Sequence, residues 1–359
     1  MELLDELVFG AREAAWPALR RDLRLSYLDV GLALSLPGLV SLFVEPPLGV
    51  LSDRGWRRRI VAGGGLAFTA GLALLAASPT FVVLLLALGI LYPASGAFVS
   101  ISQAALVDLD PGRGGHNLAV WTVAGSVGAA VGPLFVAAGL PWRGVFAGYA
   151  AVAALLTLAV SRQDLGGAGS GSDPAADGLR AALRLPGVIR WLVLLELESL
   201  GTDVLFGFLA LDLVDTVHAS AQVAALCVAV CTGAGLVGNV ALVRALRFVD
   251  PLRLLRASAA VAAPCLIGFQ LAPGVPAKLL FAGALGLASS CWYPISQARL
   301  YAALPGTSGM ATAVATCASA VGIGLPLLLG AVAGAVGLGD GLWLCVAAPL
   351  ALLLGVPRG

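Results

Sequence analysis

Apolar runs about 20 residues long recur along almost the whole of this chain, and one such run is what a helix needs to cross a bilayer. Between charged or Gly/Pro-rich breaks they fall at 2–19, 28–50, 60–78, 81–107, 116–139, 143–161, 188–211, 221–243, 255–272, 276–303, 309–335 and 339–356. In lipid the backbone has no water to bond to, and a helix satisfies its own N–H and C=O groups. The pattern therefore predicts an all-α polytopic membrane protein with twelve transmembrane helices. Charged residues make up 11% of the chain, against about 25% in soluble domains. That excludes a cytosolic enzyme, a secreted disulfide scaffold and a disordered chain. With 21 basic and 20 acidic residues there is no excess of positive charge for a nucleic acid.

The stretch 162–187 contains Gly-Gly-Ala-Gly-Ser-Gly-Ser-Asp-Pro and reads as a cytoplasmic linker between one six-helix bundle at 1–161 and another at 188–359. Basic residues set the orientation. Arg54, Arg57, Arg58, Arg59, Arg113, Arg162, Arg180 and Arg184 fall on one side, with fewer cations (Arg20, Arg21, Arg24, Arg143 and Lys278) assigned to outer loops. Both termini are expected in the cytoplasm, with the chain in the inner (plasma) membrane. The opening Met1–Glu6 is acidic where a signal peptide is basic.

The two halves resemble each other. Residues 101–128 laid over 295–322, an offset of 194, match at fourteen of 28 positions, Ile-Ser-Gln-Ala and Pro-Gly among them. An offset of six spans leaves both copies facing the same way, which implies a parallel repeat about an axis along the membrane normal. Two parallel halves joined by an inner linker describe a rocker-type secondary transporter. The six cysteines all lie in apolar runs of the second half. Cys227 and Cys231 share a helix face, but no second pair or histidine joins them, so they read as buried thiols. No metal or cofactor is expected.

Between spans 2 and 3 the chain reads Gly49-Val-Leu51-Ser-Asp53-Arg54-Gly55-Trp56-Arg57-Arg58-Arg59. This resembles the signature loop of the major facilitator superfamily (MFS), G-x-L-x-D-R-x-G-R-R, with Trp56 where that pattern has its second glycine. The resemblance implies a conformational gating loop formed by Gly49, Asp53, Arg54, Arg57 and Arg58. In that family the loop aspartate holds one state by pairing with basic groups and a helix start. Span 5 ends Gly125-Ser-Val-Gly128-Ala-Ala-Val-Gly132-Pro133 and is similar to the family's G-x-x-x-G-P-x-x-G-G, a motif associated with proton-coupled exporters. Val136 and Ala137 replace the last two glycines. Close helix packing explains the same small-residue spacing. Trp292-Tyr293-Pro294 and Pro305-Gly306-Thr307-Ser308-Gly309 resemble a bacterial branch of the family.

Ionisable groups within spans are functional candidates, because charge at a helix centre costs about 2.5–3.5 kcal/mol. On span 1, Glu2, Asp5, Glu6, Arg12 and Glu13 share one stripe. They must pair or line a wet cavity. On span 7, Glu196 and Asp203 share a face while Glu198 points to another helix. At an offset of 193, Asp5 stands opposite Glu198. Glu45 precedes Pro46-Pro47, where a helix break is expected. Ser102-Gln103 and Ser296-Gln297 recur in spans 4 and 10 near Tyr92, Trp292 and Tyr293. The candidate substrate and proton pathway is thus Asp5, Glu6, Arg12, Glu13, Glu45, Glu196, Asp203, Gln103, Gln297, Tyr92, Trp292 and Tyr293.

These features predict a secondary active transporter of a small organic solute, working by alternating access, proton-coupled and exporting. Its expected partners are the solute, protons and the lipid bilayer, and the family resemblance implies a monomer. Gly63-Gly64-Gly65 lacks the Lys-Ser/Thr of a nucleotide-binding loop, which argues against a primary pump. A lipid-modifying membrane enzyme is the second class, opposed by the lack of a His/Asp catalytic cluster. A transporter-fold ligand sensor is the third.

Overall fold

The computed structural model describes residues 1–109, 114–163, 185–303 and 322–357. Side chains at Asp53, 107–116 and Ala119 lie outside the description, as do most of the linker and most of the second repeat copy, including Pro305–Gly309. Two compact units divide the chain, Met1–Gly171 and Ser172–Gly359. Among the described residues there is no strand.

In the first unit the helices are α1 (Glu2–Leu23), α2 (Tyr27–Leu51), α3 (Arg57–Ala77), α4 (Phe81–Ser95), α5 (Ile101–Leu109), α6 (Gly114–Ala137) and α7 (Trp142–Val160). A π-helical turn, Gly96–Ser100, joins α4 to α5. The second unit holds α8 (Pro186–Ser199), α9 (Leu205–Val217), α10 (Ala221–Ala245), α11 (Pro251–Leu271), α12 (Val275–Ser289), α13 (Trp292–Ala303), α14 (Leu325–Val336), α15 (Leu338–Gly341) and α16 (Ala347–Gly355). A second π-helical turn, Leu200–Val204, joins α8 to α9. Nine helices among the described residues are long and apolar enough to cross a membrane, so the protein is a multi-pass membrane protein. The α1 and α8–α9 helices stand outside that set because of the charges they carry.

Helix starts follow local chemistry. Ser26 and Asp29 form a reciprocal capping box at α2. Thr80, Ser220 and Asp250 accept backbone N–H bonds at the starts of α4, α10 and α11. Bulky side chains fill each core: Trp16, Phe68, Phe98 and Phe146 in the first unit, Phe208, Phe269 and Trp292 in the second.

The span-5 glycines form the seat for α1. A Cβ added at Gly128 would lie 2.5 Å from the Leu3 carbonyl oxygen, and one at Gly10 would lie 2.5 Å from that of Ala129. Backbone meets backbone here, which only small residues permit.

Two expectations are corrected. The helix does not break at Pro46-Pro47; α2 runs through both prolines to Leu51. The turn falls instead at Gly55, with φ 90° and ψ 9°, since glycine alone enters that region without a steric cost. Lys278 is not a loop cation. It lies inside α12 with 2% of its surface exposed, drawn in by a carboxylate described below.

The repeat extends to the irregularities. Adding 194 to the π-helical turn at 96–100 gives 290–294, and the chain turns at residues 290–291 between α12 and α13. The first irregular turn stands directly before Ile-Ser-Gln-Ala, and the second stands three residues ahead of its repeat.

Candidate functional site

In the first unit the charges of α1 are held inward. Glu13 is 1% exposed and Arg12 6%. They form an ion pair along one helix. The Trp16 indole donates to the other Glu13 oxygen at 3.0 Å, and an Arg12 Nη donates to the Tyr92 hydroxyl on α4. The guanidinium also lies 5.0 Å from the Phe9 ring centre and 5.2 Å from that of Tyr92. Its positive charge is thus balanced by a carboxylate and two aromatic faces. One or two turns earlier, the Ser95 hydroxyl donates to Asp5 at 2.8 Å. Glu6 packs its Cβ against Gly128. Glu45 is exposed, and its carboxyl carbon lies 2.6 Å from where a Cβ would stand on Gly96, at the α4–α5 turn. Gln103 is half-buried on α5.

In the second unit two polar pairs bridge the same two spans. The Ser296 hydroxyl on α13 donates to Glu198 Oε2 at 2.8 Å, with both side chains buried. The other Glu198 oxygen is buried without a hydrogen-bond partner among the described residues. Nearer the other end, Lys278 Nζ on α12 meets Asp212 on α9 in an ion pair. Asp212 is fully buried, and the ammonium stands 4.4 Å from the Phe269 ring centre. Glu196 accepts from the backbone N–H of Gly322 and interacts electrostatically with Asp203. Gly322 is the repeat counterpart of Gly128, so in each unit the last position of the repeat receives the helix that opens the unit.

Of the predicted pathway residues, the structure gathers Arg12, Glu13 and Tyr92 into one network and sets Asp5 and Glu45 beside the α4–α5 turn. Trp292 is 1% exposed and donates its indole N–H to Ser258 at 3.0 Å, a packing role. Tyr293 is exposed. Gln297 donates to the Tyr301 hydroxyl at 3.2 Å. Sequence reasoning left out Glu198 and missed Asp212 and Lys278. A lone lysine in the chain, at the start of an apolar run, was the available signal for the last.

In the loop, Arg58 donates to the Ser161 carbonyl at 2.7 Å and 3.0 Å, tying α3 to the end of α7. Arg57 is buried, while Arg54 and Gly49 are exposed. Arg59 lies 4.9 Å over the exposed Trp56 ring.

Two helical units of a multi-pass membrane protein hold charged groups in their interiors. A sequence profile of the Major Facilitator Superfamily matches residues 7–197, more than half of the chain. The chain belongs to that family. It is 28% identical over 166 residues to the fosmidomycin resistance protein of Escherichia coli (strain K12). That match covers 45% of this chain and 40% of the relative's length. Among solved structures it shares the fold of a bacterial homolog of the human lysosomal transporter Spinster, inward-facing and occupied. There the TM-score is 0.77 at 17% identity, covering 99% of this chain and 91% of that one. The Escherichia coli fucose:proton symporter aligns with a TM-score of 0.68 at 14% identity, covering 99% and 95%.

Proposed function

We propose that the protein exports a small organic solute across the plasma membrane in exchange for protons, by alternating access, with both termini cytoplasmic. The observation that carries this reading is the set of ionisable side chains held within apolar helices of both units. Charges placed there are costly and persist where transport uses them. The likeness to a resistance protein supports export, and the span-5 glycines seated on α1 fit a family motif associated with exporters. Asp5, Glu45, Glu196 and Asp203 are the carboxylates through which protons and solute pass, and Asp53, Arg54, Arg57 and Arg58 form the gating loop. The ion pair of Glu13 with Arg12 gives Glu13 the role of holding Arg12 in place.

The test is substrate-induced dequenching of a pH-sensitive dye in energised inverted vesicles. Organic cations, amphiphiles and small acids are added in turn. Collapse of the proton gradient only in vesicles that contain the protein is the expected result. If solute movement into vesicles proceeds equally with and without a gradient, the proton-coupled reading is overturned.

A further inference from the structure

We infer that Glu198 is a proton-binding site, loaded while it is closed against Ser296 and emptied when α8 and α13 part. Its role in transport rests on the proton-coupled reading above; its proton binding does not.

The argument is one of charge. Glu198 is 2% exposed. One oxygen accepts from Ser296, and the other is buried with no hydrogen-bond partner among the described residues. Among the described residues, the groups that face it supply no compensating positive charge. Asp203 in the adjoining π-helical turn and Glu196 on its own helix are both acids. Cys291 and Tyr293, beside and on α13, are the further titratable groups within electrostatic reach. Helix α8 packs on α13 and α16, and α16 is Ala-Ala-Pro-Leu-Ala-Leu-Leu-Leu-Gly, with no ionisable side chain. An ionised carboxylate in such a place is strongly disfavoured. With a proton on Oε1 the group is neutral, and the Ser296 hydroxyl satisfies Oε2.

The backbone offers a way to open the pair. A π-helical turn begins two residues after Glu198, at Leu200. On the facing span the chain turns at 290–291, five residues before Ser296. Such irregularities are where membrane helices bend. A bend at either one draws Ser296 away and admits water. The O–H bond of Glu198 then breaks heterolytically, the proton goes to water, and the carboxylate is solvated. Closure requires the proton to return.

This is tested by infrared difference spectroscopy of the full-length protein in lipid, stepped between acidic and alkaline buffer. The wild type is expected to show the carbonyl stretch of a buried carboxylic acid that disappears on the alkaline side. Glu198→Gln should lose that band. Ser296→Ala should keep it at a higher frequency, since the donor to the carbonyl is gone. A packing role alone would shift neither. Should Glu198→Gln fail to fold, Glu198→Asp withdraws the carboxyl from Ser296 and should move the band likewise. An unchanged band in Glu198→Gln overturns the site. In vesicles, Glu198→Gln is expected to lose gradient-driven movement at least tenfold while keeping solute exchange at equal pH. Full gradient-driven movement in that variant overturns its coupling role. A band lost in Glu198→Gln together with a wild type indifferent to pH gradients keeps the site and discards proton coupling.

Discussion

The two units carry the same repeat but keep their interior charge in different ways. In the first unit the pair lies along one helix, Arg12 beside Glu13, and reaches a second helix through the Tyr92 hydroxyl. In the second unit the pair joins two spans, Asp212 on α9 to Lys278 on α12. By the repeat offsets, the first-unit counterparts of Asp212 and Lys278 are Leu19 and Leu84, and both are fully buried. Two buried leucines thus stand in one half where a salt bridge stands in the other. The acid–serine pairs differ in register. Asp5 meets Ser95, while its counterpart Glu198 meets Ser296, which corresponds to Ser102 and so lies two helical turns further along. The units share a sequence repeat, while the polar contacts inside them differ.

The sharpest way to break this comparison is at the buried salt bridge. Asp212→Asn or Lys278→Met alone leaves a buried charge without its partner, with an expected cost of about 3–5 kcal/mol. Replacing both by leucine copies the first unit and should be neutral or stabilising. Thermal unfolding in detergent measures both, and a double variant as unstable as the singles would show that the two halves are not equivalent there. Next comes the helix seat. Gly132→Val drives side-chain atoms into the Leu7 carbonyl and should cost about 1–3 kcal/mol. A Cβ at Gly148 on α7 would meet nothing within 4 Å, so Gly148→Ala serves as the control, which should melt close to the wild type.

A smaller effect is expected at Gly55. Its φ of 90° makes Gly55→Ala unfavourable by about 1–2 kcal/mol, read as earlier proteolytic cleavage between α2 and α3. The smallest concerns Asp22, beyond the apolar part of α1. Partial burial opposes its charge, but hydrogen bonds from Trp142 and Arg21 and the charges of Arg21 and Arg143 hold its carboxyl below the usual carboxylate range. The stability this brings is complete above that range and is lost as pH falls through the lowered value. Trp142→Phe should remove about 0.5 kcal/mol at neutral pH and flatten that acid-side loss in melting temperature.

Much of this was legible from the sequence. Long apolar runs, the polar stretch after residue 161 and the Ile-Ser-Gln-Ala repeat pointed to an all-helical, two-unit chain. The stripe of charges on α1 was legible from helical periodicity, and so was the outward aim of Glu198 toward a neighbouring helix. What stayed hidden depends on partners distant in the chain. Asp212 and Lys278 are 66 residues apart, and nothing local to either predicts that they meet. The turn at 96–100 had no sequence mark either; in the fold, Gly96 at its start leaves room for the Glu45 carboxyl. Pro46-Pro47 looked like a break, because proline removes a donor, yet neighbouring helices let α2 continue.

Gly55 carries a consequence for how kinship is recognised. The family pattern writes its second glycine where this chain has Trp56, one place after the residue that makes the bend. In this chain the residue that permits the bend stands one place earlier than the pattern writes it. A search by fixed spelling scores this loop as damaged, whereas a search by backbone angle finds it whole. Relatives with displaced glycines are therefore best gathered by shape, and their loops compared from the turn outward.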